Sequence, residues 1–342
     1  MQGQLFSHDF LTRGIVETAP WQSLDATQLN AFSAELRRVY AAVSAGSALN
    51  EAQTESELIE PLLALLGWEH LPQINLSIAG REDVPDFLLF ADAGAKARAL
   101  AETADDRRAR HGICLIEAKR WLRVLDRNEP QPSATRKPRD FGAPSSQMLR
   151  YLSRADVMSD RAIKWGMLTN GAVWRLYWQD ARSRAEDFFE IDLAVLLGIP
   201  GVQPALDGYE SAHGLKLFYL LFGRAAFLPQ SWDAEFRSYH AIALSEARRY
   251  EEAVSQSLGQ RVFDEVFPAL ASALAASDLE AKKIQRSPYL GGPHYTRAYL
   301  DEVREATLVL LYRLLFVLYA EDRALLPHPR PALPRLQPAR DP

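Results

Sequence analysis

The chain has 342 residues, 48% of them apolar, with 39 Lys and Arg against 44 Asp and Glu and a formal charge of −5. That length predicts two domains with sizeable cores, and the charge excludes a polycation that coats nucleic acid along its whole surface. A single cysteine, Cys114, excludes a disulfide framework or a cysteine-rich zinc site and suits a reducing cytoplasm.

In chain order, residues 24–45 read as an amphipathic helix with Leu29, Phe32, Leu36 and Val39 on one stripe. A second helix covers 52–66 and stops at Gly67. Residues 74–78 and 84–90 are strand-like. The charged stretch 96–112 reads as a loop or short exposed helix, and 113–119 is the next strand. Residues 126–144 carry many turn formers and basic side chains and read as a loop. Then come a helix over 145–155 and two apolar runs within 163–178, joined by the hairpin dipeptide Asn170-Gly171. Beyond a boundary near residue 205 the pattern is helical: 209–223, 231–258, 261–277 and 297–322. The expected organisation is therefore an α/β domain over 1–205, a helical domain over 206–330 and a proline-rich tail over 331–342. The longest apolar run, 308–319, is interrupted by Arg313 and is too short to span a bilayer, and the N-terminus lacks the apolar core of a signal peptide.

Charge is uneven. Residues 96–140 hold 12 Lys and Arg against 7 Asp and Glu, inside an otherwise acidic chain. A basic island of this kind fits a polyanionic partner on one face, although a solvated loop gives the same count. The seven histidines are scattered and read as surface residues, and neither a P-loop nor a GxSxG motif is present.

The strand "ICLIEAK" (113–119) carries the chemistry. Side chains alternate across a strand, so Ile113, Leu115, Glu117 and Lys119 share a face that turns from apolar to charged. In "VPDFLLF" (84–90), Asp86, Leu88 and Phe90 share a face with the charge first. Antiparallel pairing of the two strands brings Asp86, Glu117 and Lys119 to one rim. An unpaired charge there costs several kcal/mol, so each needs compensation. One ion pair to Lys119 leaves a carboxylate over. A hard divalent cation such as Mg²⁺ takes both carboxylates, and the lysine then orients a water for attack on phosphorus.

This "P-D" followed by "E-A-K", with 30 residues between Asp86 and Glu117, resembles the PD-(D/E)xK nuclease signature. "QMLRY" sets Gln147 and Tyr151 on one helix face and resembles the QxxxY motif of nuclease domains in type I restriction subunits. "NEAQTESELIEPLLALLGWEH" (50–70) resembles the opening helix of restriction endonucleases, and "LTNGAVWRLY" the hairpin after the QxxxY helix. Segments 5–21 and 313–327 are similar to the flanks of the nuclease domain in type IIG restriction–modification enzymes.

The resemblance implies a restriction-endonuclease-like mixed sheet flanked by helices, followed by an all-α connector. It implies a Mg²⁺-dependent (or Mn²⁺-dependent) DNA endonuclease of a prokaryotic phage-defence system. Asp86 and Glu117 would ligate the metal with the Ala118 carbonyl, and Lys119 would position the water. Glu57, with Glu51 and Glu60 as alternatives, would face the metal site. Gln147 and Tyr151 would hold the strand, while Arg107, Arg108, Arg110, Arg120, Arg123, Arg136, Lys137 and Arg139 would neutralise phosphates of double-stranded DNA. No "NPPY" and no glycine-rich S-adenosylmethionine loop occur, so S-adenosylmethionine is not expected on this chain. The methyltransferase and specificity region would then lie in a longer chain or a separate subunit. The alternative is a module that binds DNA or assembles a complex without cutting.

Overall fold

The computed structural model describes residues 4–76, 83–127, 143–203, 210–282 and 296–322. Its contacts divide the chain into two compact units, Met1–Glu251 and Glu252–Pro342.

The first unit is built on one six-stranded sheet of sequential order: β1 (Glu69–Pro72), β2 (Phe87–Phe90), β3 (Gly112–Ala118), β4 (Trp165–Thr169), β5 (Val173–Trp178) and β6 (Phe188–Asp192). Only β3 and β4 run parallel; the other neighbours are antiparallel. Parallel neighbours need a crossover, and a helix over Pro144–Met158 supplies it. Before it along the chain lie α1 (Ala19–Ser23), α2 (Ala26–Val39), α3 (Glu51–Thr54), α4 (Glu60–Leu65), α5 (Ala93–Ala101) and α6 (Asp105–Ala109), so the crossover is α7. After it come α8 (Leu193–Leu197), α9 (Ser211–Phe222) and α10 (Tyr239–Arg261), then α11 (Phe267–Lys282) and α12 (Arg297–Asp322).

Strand alternation sorts the core onto two faces. Phe87, Leu89, Cys114, Ile116, Met167, Trp174 and Leu176 point to the layer of α2, α4 and α9. Leu88, Phe90, Leu115, Leu168 and Tyr177 point to α7, which inserts Met148, Tyr151 and Leu152. Gly166 on β4 permits the close approach: a Cβ there would stand 2.3 Å from Met148 Cε. The α3–α4 helix is joined by a π turn over Glu55–Ile59, in which the Glu60 N–H donates to the Glu55 carbonyl. Pro61 has no N–H, and its ring would strike the Glu57 carbonyl in a regular helix; the π turn takes up that conflict.

The mixed sheet flanked by helices and the helical C-terminal region match the architecture expected from sequence. Several boundaries differ. The strand expected at 74–78 is irregular where described, and the pairing strand is the earlier β1. β6 was not anticipated. The helix expected from 231 begins at Tyr239, because 229–238 turns back on itself, with Gln230 N–H donating to the Arg237 carbonyl at 2.9 Å. The boundary expected near residue 205 falls inside the first unit. α9 buries Phe218 and Phe222 against the sheet, with Phe218 at 5.6 Å from Trp174 and Phe222 at 5.7 Å from Phe189, ring to ring. The predicted tail, 331–342, lies outside the described residues.

In the second unit α11 and α12 pack together, burying Thr307, Leu311 and Ala320. Among the described residues no helix is long and apolar enough to cross a membrane.

Candidate active site

The chain leaves β3 at the point where the sheet's apolar interior ends. The Lys119 N–H extends the ladder to the Thr169 carbonyl at 2.8 Å. Asn170, in the β4–β5 turn, then holds the next residues: its carbonyl accepts from Leu122 N at 3.3 Å and its amide donates to the Arg123 carbonyl at 2.8 Å. On the other side Trp121 N–H donates to Thr54 Oγ1 and the Trp121 indole to the Ser44 carbonyl, both at 2.9 Å. These bonds support Leu122 at φ 58°, a left-handed conformation that costs a leucine roughly 1–2 kcal/mol. Segment 119–123 is thus fixed from both layers, and Lys119 with it.

Register brings the acids to the same end. β2 pairs antiparallel with β3, Phe87 opposite Ile116, so the residue before β2, Asp86, meets the end of β3. Asp86 Oδ2 accepts the Ala118 N–H at 2.6 Å. Lys119 Nζ lies 2.5 Å from Glu117 Oε1 and 3.5 Å from Glu51 Oε1. Glu117 and Lys119 are almost fully buried, whereas Glu51 is 43% exposed.

One ammonium here serves several carboxylates. Burial, with the neighbouring Asp86, pushes Glu117 well above the usual carboxylate range despite Lys119 beside it. Burial likewise raises Asp86 to about 6. Burial opposes the charged form of Lys119, but Glu117, Glu51 and Asp86 outweigh it and hold the ammonium protonated. Among the described residues, no hydrogen-bond donor reaches the buried Glu117 Oε2. Such a site is short of positive charge, and two hard oxygen donors with an orphaned lone pair fit a divalent cation. Among the described residues no three His, Cys, Asp or Glu side chains form a ready-made metal cage. Mg²⁺ typically needs only one or two protein carboxylates beside water and phosphate oxygens.

On the opening helix Glu51 reaches Lys119 directly, and Glu55 lies within range of its charge. Glu57, the residue chosen from sequence, is exposed, as is Glu60. The apolar stripe Leu58, Ile59, Leu62 and Leu63 continues back through Thr54 and Glu55 to Glu51 at helical spacing, and Glu57 lies off it. Glu55 went unnamed at the sequence level, though that same stripe points to it. Burial first, then the charges of Asp86 and Glu51, raise it to about 7.

α7 contributes from the other layer. The Gln147 side-chain amide donates to the Tyr151 hydroxyl at 2.8 Å. Tyr151 is buried, and desolvation together with the charge of Glu117 raises its pKa, so the pair lies within electrostatic reach of the cluster. Trp174 and Tyr177 are core residues. Of the expected phosphate contacts, Arg107, Arg110 and Arg120 are exposed and Arg123 is half-buried. Arg108 is committed internally to Asp105 at 3.0 Å and to the Glu102 carbonyl at 2.9 Å. Arg136, Lys137 and Arg139 lie outside the described residues. His240, expected at the surface, is fully buried between Trp165 and Phe227.

No protein-family model, no curated protein and no solved structure matches this chain.

Proposed function

We propose that this chain is a Mg²⁺-dependent DNA endonuclease domain of a restriction–modification system, hydrolysing phosphodiester bonds in double-stranded DNA. The observation that carries the reading is the meeting of Asp86, Glu117 and Lys119 at the end of β3, with a buried Glu117 oxygen that no described residue satisfies. The resemblance to PD-(D/E)xK nucleases, with Gln147 and Tyr151 on the adjoining helix, points the same way. Asp86 and Glu117 would hold the cation, with the Ala118 carbonyl as a further donor. When bound, a divalent ion polarises a phosphoryl oxygen and lowers the pKa of its water.

The chain's own groups do the rest. Lys119 stays protonated, so it orients water and neutralises charge building on the phosphate, and does not act as a base. Glu51 and Glu117 fix the direction of that ammonium. Glu55, titrating near neutrality, is suited to accept a proton from solvent or return it. Gln147 and Tyr151 hold the DNA strand, and the exposed Arg120 with the half-buried Arg123 neutralises phosphates beside it. Methylation and site recognition would come from another region or subunit, and no step here uses S-adenosylmethionine.

The test is Lys119→Ala on supercoiled plasmid with Mg²⁺. Nicking falls by about 10²–10³-fold, the scale of losing one charge-stabilising donor, while duplex binding stays near wild type. Unchanged nicking refutes the reading. A wild-type chain that binds duplex but nicks with neither Mg²⁺ nor Mn²⁺ is the silent assembly module instead.

A further inference from the structure

A second basic site lies on α7 outside the catalytic cluster. The helix and the β5–β6 turn enclose a cavity of about 520 Å³, lined by Arg150, Ser153, Arg182, Ser183 and Arg184 with two apolar neighbours and no carboxylate. Its walls are held in place. Arg184 Nη1 donates to Ser153 Oγ and, at 3.3 Å, to Gln179 Oε1, which latches the turn onto the helix. Arg150 Nε donates to the buried Asp83 at 2.9 Å, and its guanidinium lies 5.3 Å over the Tyr151 ring. The nearby Asp187 carboxylate is spent on the Ser183 N–H at 3.0 Å.

Fixed guanidinium groups around an open recess suit a phosphate, which takes their N–H donors in forked geometry. Position specifies which phosphate. The β5–β6 turn leaves the sheet beyond Trp178, which pairs with Trp165, whereas the Lys119 N–H bonds the Thr169 carbonyl at the other end of β4, about 13 Å away at roughly 3.3 Å per residue. One DNA strand advances about 3.4 Å per nucleotide, so the offset equals about four nucleotides or more.

We propose that this recess binds the DNA backbone about four or more nucleotides from the scissile phosphate, with Arg182 and Arg184 as the principal contacts. The proposal rests on the nuclease reading and adds to it a positioning site that the PD-(D/E)xK and QxxxY residues do not include. It sets how far the strand is drawn past Tyr151, and therefore which phosphodiester reaches Lys119.

The experiment uses the Lys119→Ala chain, which binds without cutting, and a labelled duplex titrated across salt concentration. Arg182→Gln with Arg184→Gln lowers the slope of log K against log salt by about 1–2, one unit per lost phosphate contact. Lysine at both positions restores the slope. Arg182→Glu alone, at an exposed side chain outside the Ser153 latch, weakens binding without disturbing the turn. If the parent binds and all these variants share its slope, the recess is not a phosphate site while the nuclease reading stands. If the parent binds no duplex at any salt, both fall.

Discussion

The strongest perturbation of the proposed centre is Glu117→Gln, read against Mg²⁺. In the metal-free protein the acids at the end of β3 are held above their ordinary pKa values, Asp86 at about 6 against 3.8. The sign follows: a raised folded-state value gives stability that is fully present below 3.8 and lost as pH rises through about 6. At pH 8 the loss from Asp86 alone is 2.2 units, or about 3 kcal/mol at 1.36 kcal/mol per unit. Glu117 is more deeply buried and shifts in the same direction. Replacing it by the neutral amide removes one repelling charge, so the metal-free variant is more stable than wild type, and more so at pH 8 than at pH 5. A bound cation performs the same neutralisation. At a hundredfold excess over Kd it adds about 2.7 kcal/mol, or about 5–11 °C in Tm at roughly 2–4 °C per kcal/mol for a unit of this size. Thermal melts in EDTA and in Mg²⁺ therefore diverge for wild type and nearly coincide for Glu117→Gln. An equal Mg²⁺ shift in both proteins refutes the shared cation site.

Two further outcomes test the scaffold. His240 is buried between aromatic rings, donates through Nε2 to the Leu221 carbonyl at 2.7 Å and has no partner at Nδ1 among the described residues; burial depresses its pKa to about 4. Its contribution is present above about 6.5 and disappears as pH falls through 4, a loss of about 3 kcal/mol. Urea midpoints in wild type thus fall steeply over that window, and His240→Phe flattens the fall. Gly166→Ala drives a methyl into Met148 and costs about 1–3 kcal/mol, lowering Tm and loosening the α7 helix that carries Gln147 and Tyr151.

The pieces of the site legible in one dimension are those coded by local periodicity. Two-residue alternation puts Asp86 with Leu88 and Glu117 with Leu115, because a pleated backbone leaves no other choice once one face is apolar. A spacing of four sets Gln147 beside Tyr151, and Asn170-Gly171 marks its turn, with Gly171 at φ 81°. What could not be read depends on residues far apart. Glu51 reaches Lys119, and Glu55 comes within range of its charge, because Thr54 docks their helix onto Trp121, a contact spanning 67 residues. Glu57 is singled out by resemblance alone, and the π turn before Pro61 leaves it on the exposed side of the helix. The burial of α9 and of His240 likewise depends on which face of the sheet each helix finally covers. The basic recess exists only because a turn between β5 and β6 lands on α7. Backbone geometry writes short-range pattern directly into sequence, whereas the partner of each charge is chosen by packing, when segments distant along the chain close over the same strand end.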